Sequence, residues 1–408
     1  MKKTFWNTLN KPIIGLSPMD GVTDAPMRFM AKKYGQPDVI YTEFVSVEGL
    51  WRIKKRGEET HKIWNELKFD KSEHPIVAQL FGSDPDSFYE ATKIVAPMGF
   101  DGIDINMGCP SPGLEKRGGG AGLMRDLGLA HRVIEAVKKG VEDCTSDGSK
   151  VAKFRAHSYL SRPNETGTRM DISRADLAGP STSRENNQVN LIPVSVKTRI
   201  GSSKPDADWW KFLADEELPA VAMHGRTFKQ LYSGEADWEV LKQAAEIIKE
   251  SGALFLGNGD VLSISVRGAQ KSCSDPTSPC SRGPLARDFV GTSAPFELEV
   301  MLNGGKVIDL GTDFDGVLIG RAAIGNPWAL RKDGYEPSVE EKLKAAIEHA
   351  RVFEENLPGN KFEMMRKHLT WYAHGFEGAG GLRRKLVQTN SADEVEEIVT
   401  EFLDTANF

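Results

Sequence analysis

Eight short apolar runs recur along the chain, and they limit the folds open to it. They cover residues 13–19, 39–47, 75–82, 102–108, 193–201, 220–226, 253–260 and 316–323. Most are continuous rather than alternating, the pattern of parallel strands buried on both faces. Helical periodicity fills intervals between them, at 84–98, 127–141, 207–217, 237–251 and 296–310. Eight strands alternating with helices predict an α/β architecture, a (β/α)8 TIM barrel. A doubly wound open sheet usually carries a phosphate-binding glycine turn after its first strand, and Ser17-Pro18-Met19-Asp20-Gly21 is not one.

In such a barrel the chemistry sits at the carboxyl ends of the strands. Those ends carry Ser17-Pro18-Met19, Glu43, Gln79, Asn106 with Cys109, Lys197 with Arg199, His224 with Arg226, Asn258-Gly259-Asp260, and Gly320-Arg321. One polar residue there means little. A candidate at every strand end is hard to explain as solvated loop.

The stretch GIDINMGCPSPGLEKRGGGAGLM at 102–124 is the most informative. An apolar run ends in Asn106 and Gly108, then delivers a thiol, Cys109, next to Pro110 and ahead of a glycine cluster. A lone thiol is often a small core hydrophobe. At a strand end beside a glycine-rich turn, it stands instead where a substrate can reach it.

Composition excludes several classes. The 408 residues suffice for one large domain and a small one. No run approaches the roughly 18 apolar residues of a membrane span, and no apolar signal region opens the chain, so a cytoplasmic protein is expected. Cys109, Cys144, Cys273 and Cys280 have no disulfide or metal spacing, so neither is expected. The net charge is −6, so any RNA contact must come from a local basic patch. A monomer is expected.

Two segments break the rhythm, about 143–190 and 263–295. Both are polar and weakly periodic, and both read as insertions into a barrel of residues 1–337. From 338 to 408 the pattern changes to four helices, at 338–357, 361–375, 380–388 and 391–405. Lys361 to Asn390 is basic and carries His368, Trp371, Tyr372 and His374, whereas 391–408 is acidic. Basic residues among aromatics suit an RNA surface. An amphipathic helix with its aromatics in a core fits equally well.

A flavin site would use these strand ends naturally. Asn258-Gly259-Asp260 and Gly320-Arg321 follow strands seven and eight, where barrels commonly hold phosphate. Gln79 and Asn106 can bond a polar ring edge. Lys197 can stabilise negative charge on a reduced ring. Ser17, Pro18 and Met19 can line it, which leaves Cys109 facing a substrate as a proton donor.

The ordered motifs SPMDGVTDAPMR (17–28), QLFG (79–82), INMGCPSP (105–112), VKTRIG (196–201), HGRT (224–227), GNGD (257–260) and IGRAAIGNPW (319–328) resemble the tRNA-dihydrouridine synthase family. MRKHLTWYAHGF (365–376) and LRRKLVQ (382–388) are similar to that family's carboxyl-terminal helical domain. The likeness covers nearly all the chain except the two insertions. It implies an FMN-binding barrel, a helical tRNA-binding domain, and NADPH-driven reduction of specific uridines in tRNA. It implies that Ser17, Pro18, Met19, Gln79, Lys197, Asn258, Gly259, Asp260, Gly320 and Arg321 hold FMN. Asn106, His224 and Arg226 would lie at the flavin or the uracil, and Cys109 would be the general acid. Lys116 and Arg117 are assigned to RNA or a mobile catalytic loop, and Arg366, Lys367, Arg383 and Arg384 to the tRNA backbone. The insertions depart from the family pattern. Two other readings stay open: a flavin barrel acting on a free pyrimidine, as in dihydroorotate dehydrogenase-like enzymes, and an RNA-binding relative with impaired catalysis.

Overall fold

The computed structural model describes residues 4–58, 61–146, 192–267 and 297–405. Eight parallel strands close into a barrel: β1 (Ile13–Leu16), β2 (Val39–Ser46), β3 (Ile76–Phe81), β4 (Gly102–Met107), β5 (Val194–Arg199), β6 (Ala220–His224), β7 (Leu254–Asn258) and, later in the chain, β11 (Gly316–Ile319). The eighth returns to the first, with Ile13 opposite Gly316 and Leu16 opposite Ile319. All eight apolar runs of the sequence form these strands.

Helices between them start where the sequence supplies caps. Asp84 accepts from the Ser87 amide at 3.0 Å ahead of Pro85–Val95, and Asp237 accepts from the Val240 amide at 3.0 Å ahead of Trp238–Glu250. Each helix turns an apolar stripe onto the barrel wall, burying Phe88, Ala91 and Val95 in one case and Leu241, Ala245 and Ile248 in another.

One expected helix is absent. Residues 296–310 were assigned to a helix from their periodicity, but β8 (Val261–Arg267), β9 (Glu297–Leu302) and β10 (Val307–Asp309) form a three-stranded antiparallel sheet there. The side chains of Leu298, Val300 and Leu302 alternate into the core, a period of two. The turn Asn303-Gly304-Gly305 has φ of +86° and +81° at its glycines, the chemistry of a hairpin and not of a helix interior. β8 also occupies the start of the segment read as an insertion from 263. The remainder of both insertions, at 147–190 and 268–295, lies outside the described residues, with Cys273 and Cys280.

After the barrel come four helices, Val339–Asn356, Glu363–Tyr372, Ala379–Leu386 and Ala392–Thr405. Ser338 and Glu341 form a capping box, and the Ser391 hydroxyl accepts from the Glu394 amide at 3.2 Å. The helices share a core that also takes Phe29, Met30 and Trp328 from the barrel. Burying each such side chain contributes on the order of 1.5–3 kcal/mol, so the tail is docked rather than tethered. Tyr34 donates to Glu348 at 2.6 Å across this junction. Gly325, at φ +68°, lets the loop after β11 reach the end of the second tail helix. A Cβ there would lie 2.4 Å from the Trp371 carbonyl carbon. Among the described residues no helix is long and apolar enough to cross a membrane.

The tail core holds two buried imidazoles, His349 and His368, with rings 4.9 Å apart. Neither His368 nitrogen has a hydrogen-bond partner among the described residues. Burial pushes His349 down to about 3 and His368 well below its ordinary 6.5. Both are therefore neutral when folded, while the unfolded chain takes up protons below 6.5. Stability from this pair is present above that pH and is lost as pH falls toward the folded values. The thermal midpoint of the tail should drop between pH 7.5 and pH 5, and His368→Leu should reduce the drop. An equal drop in both proteins would assign the acid sensitivity elsewhere.

Candidate active site

The strand ends open onto one cavity of about 780 Å³, within the range of small-molecule sites. Ser17, Pro18 and Met19 form one side and Asn106 and Cys109 another. Lys197, His224, Asn258, Gly259, Asp260, Gly320 and Arg321 complete the set of expected residues on its wall. The barrel thus brings together residues spread over three hundred positions of sequence.

Cys109 is held by its backbone. Asn106 Oδ1 accepts from the amides of Gly108 at 3.1 Å and Cys109 at 2.8 Å. The Ala121 amide donates to the Cys109 carbonyl at 3.2 Å, tying the thiol loop to the glycine cluster. Burial pushes the Cys109 thiol above its ordinary 9.0, more than the Ser111 amide lowers it. The thiol therefore keeps its proton at neutral pH, the state an acid needs.

Cations line the wall beside it, on the neighbouring strand. Lys197 Nζ donates to Asn258 Oδ1 at 3.1 Å, and Asn258 donates to the Leu318 carbonyl at 2.8 Å. Burial, followed by Arg199, lowers Lys197 to about 8. Burial also lowers Arg199, to about 10. Arg199 lines the cavity and donates to the Gly108 carbonyl at 2.8 Å, bracing the thiol loop from the next strand. Its sequence signal was its spacing: residues 197 and 199 share one face of a strand. His224 is neutral, driven far below 6.5 by burial and then by Arg199 and Lys197. Its Nε2 accepts a long contact of 3.4 Å from Arg226, which leaves the proton on Nδ1.

Gly259, at φ +132°, packs the chain closely against Ala236 and His224. A Cβ there would sit 2.6 Å from Ala236 Cβ. Asp260 accepts from Arg226 at 2.6 Å, the Ala236 amide at 2.8 Å and Arg321 at 2.9 Å. Arg321 is half exposed and lies over the Tyr232 ring at 5.4 Å. A Cβ on Gly320 would meet Met19 Sδ at 3.5 Å and Ser17 Cβ at 3.6 Å, at the side of the cavity formed by those residues.

Two expected contact residues stand behind the wall instead of on it. Gln79 is fully buried, donating to Asp104 at 2.7 Å and accepting from Asn106 at 2.9 Å. Arg226 is 2% exposed and donates to Asp260, the Gly234 carbonyl, the Ser233 carbonyl and His224. Both are spent on holding neighbours. Glu43 lies within β2 and not at its end, is also off the wall, and burial, then Asp24, pushes it to about 7.

The tail divides its residues. His368 and Tyr372 are core, so the packing reading holds for them. Trp371 instead lines the cavity, braced edge-on against the His368 ring at 5.4 Å. Lys367 donates to the Gly21 carbonyl, Arg366 to the Thr389 carbonyl at 2.9 Å, and Arg383 to the Ala373 carbonyl at 2.7 Å. Arg384, Lys116 and Arg117 are exposed. The sequence reading missed Tyr232, Trp371 and Asn303 as wall residues. Asn303 had no signal, because its segment was read as helix.

The Arg226–Asp260 pair is almost wholly buried, with side-chain exposures of 3% and 4%. Removing one member strands the other charge, a loss of about 3–5 kcal/mol. Asp260→Ala should therefore lower the denaturant midpoint substantially. An unchanged unfolding curve would show that the Arg226 charge is solvated or paired by other groups without Asp260.

A family model described as Dihydrouridine synthase (Dus) matches residues 15–151, 172–275 and 308–407. The chain is 27% identical over 406 residues to a "Probable tRNA-dihydrouridine synthase" of Staphylococcus aureus strain Mu50, covering 98% of this chain and 96% of that one. A protein of the same description from Staphylococcus epidermidis strain RP62A is also 27% identical, covering 98% and 97%. "Probable tRNA-dihydrouridine synthase 2" of Bacillus subtilis strain 168 is 25% identical over 408 residues, covering 98% and 97%. With its barrel closed, its strand-end residues gathered in one cavity and the family model matched along most of its length, the chain belongs to the dihydrouridine synthase family.

Proposed function

We propose that the protein reduces uridines in tRNA to dihydrouridine, with FMN bound in the barrel and NADPH as reductant. The observation that carries this reading is a protonated thiol, Cys109, on the wall of a cavity that Lys197 and Arg199 line from the neighbouring strand. The residues present fit FMN. Gly259, Gly320 and Arg321 offer backbone donors, an open cradle and a half-exposed guanidinium for a phosphate. Lys197, Asn258, Ser17, Pro18 and Met19 would hold the ring. When bound, FMN supplies hydride chemistry: two electrons and a hydrogen received from NADPH and passed to carbon 6 of the uracil.

The protein's own groups account for the rest. Hydride addition at carbon 6 leaves negative charge on carbon 5 and the neighbouring carbonyl. Lys197 and Arg199 are fixed cations where that charge develops. His224, neutral with a proton on Nδ1, can donate a hydrogen bond without carrying charge. Cys109 then gives its proton to carbon 5 and recovers one from solvent. Asn106 keeps the thiol loop still during the transfer.

A base inside a folded tRNA cannot reach this cavity unless it is extruded. Trp371 and Tyr232 offer flat faces at the mouth for such a base or its neighbours. The helical tail from residue 338 would be the tRNA-binding domain, with Arg384 and, from the barrel, Lys116 and Arg117 presented to phosphates. Trp371 also argues against a free-pyrimidine substrate, which would need no wall supplied by the tail. The intact thiol argues against a relative that only binds RNA.

Incubation of undermodified tRNA with the protein and NADPH, followed by nucleoside analysis, tests this directly. Dihydrouridine should form. Cys109→Ala should bind FMN and still be reduced by NADPH, while dihydrouridine formation falls by about two to four orders of magnitude. Wild-type turnover by the alanine variant would return Cys109 to the role of packing. Reduction of free uracil or dihydroorotate chemistry without action on tRNA would support the rival barrel.

A further inference from the structure

Asp104 lies on β4 two residues before Asn106, with no exposed surface and no part in the chemistry above. Its carboxyl accepts from Ser195 Oγ at 2.6 Å and from Gln79 Nε2 at 2.7 Å. Gln79 Oε1 accepts from Asn106 Nδ2 at 2.9 Å, and Asn106 Oδ1 accepts from the Gly108 and Cys109 amides. These bonds form one chain from the barrel interior to the thiol loop.

The chain has a single polarity. A carboxylate only accepts, so it must face the NH₂ end of Gln79. Backbone amides only donate, so they must face the oxygen of Asn106. The orientation of the two amides demanded from one end is the orientation demanded from the other. If Gln79 turned over, its NH₂ would meet that of Asn106. Asn106 would then turn and present donors to two donors, leaving buried groups unpaired.

We propose that Asp104 is a positioning residue for the protonation step: it fixes Gln79, Gln79 fixes Asn106, and Asn106 holds the Gly108–Cys109 backbone that aims the thiol. The proposal rests on the reading of Cys109 as the acid. The titratable groups facing Asp104 are Lys197 on β5 and Tyr41 on β2.

An isosteric exchange tests the polarity. Gln79→Glu sets two carboxyls against each other, and the chain then survives only if the pair shares a proton. Gln79→Glu with Asp104→Asn restores it without that proton: the new amide donates to the new carboxylate and accepts from Ser195. The readout is backbone hydrogen exchange at Gly108 and Cys109 in the purified protein, relative to wild type at each pH from about 6 to about 9. The single variant should lose protection as pH rises, by about tenfold or more, the scale of one hydrogen bond. The double variant should stay near wild type throughout. Its tRNA-dependent step should recover in parallel, relative to the single variant. Equal protection in the single variant at both ends of the range would overturn the proposal, as would equal loss in the double. Should Gln79→Glu not fold, Asp104→Asn and Asp104→Ala decide. The asparagine should keep the amides protected and the alanine should release them, and indistinguishable exchange in the two would overturn it. Failure of wild type to form dihydrouridine would instead strike the acid reading and leave the exchange result standing.

Discussion

Everything at the mouth of this barrel depends on one side-chain oxygen. Asn106 Oδ1 receives two consecutive backbone amides, at 3.1 and 2.8 Å, just where β4 ends. Those bonds turn the chain out of the strand and set Cys109 on the cavity wall. Arg199 braces the same turn from β5 through the Gly108 carbonyl. A thiol needs no activating base to act as an acid, only burial enough to keep its proton and a fixed direction. The loop supplies direction through hydrogen bonds, and the cavity supplies burial.

The charges follow from the same economy of space. Lys197, Arg199 and Arg321 share one side, with Arg226 behind them. Such a cluster is tolerable because Asp260 pairs with both Arg226 and Arg321, leaving one net positive charge among the three, while Tyr232 lies against Arg199 and Arg321. The remaining field favours an anionic ligand in the cavity. The tail completes the enclosure. Gly325 allows the backbone approach that sets Trp371 on the cavity wall, so barrel and tail line one cavity.

Much of this was legible in the sequence because barrels put function at strand ends in order. Continuous apolar runs located the strands, and the polar residues closing them located the cavity. Side-chain direction was less legible. Gln79 and Arg226 close their strands like the others, yet face the interior and bond to Asp104 and Asp260, partners that only the fold brings close. The β8–β10 sheet is hidden in the sequence because Leu298, Met301 and Leu302 also stand at helical spacing, and only the turn at Asn303-Gly304-Gly305 marks a hairpin. Basic residues among aromatics could not separate core from surface in the tail: His368 and Tyr372 went inward, Trp371 to the cavity.

The central claim is that Cys109 works in its protonated form. The most direct measurement is the rate at which tRNA reoxidises the reduced protein, followed from about pH 6 to about pH 10. The account predicts a rate that holds through neutrality and falls only above the thiol's pKa, which burial has raised beyond its ordinary 9.0. A rate that climbs with pH as thiolate forms would contradict it, because the reactive species would then be the anion and not the acid.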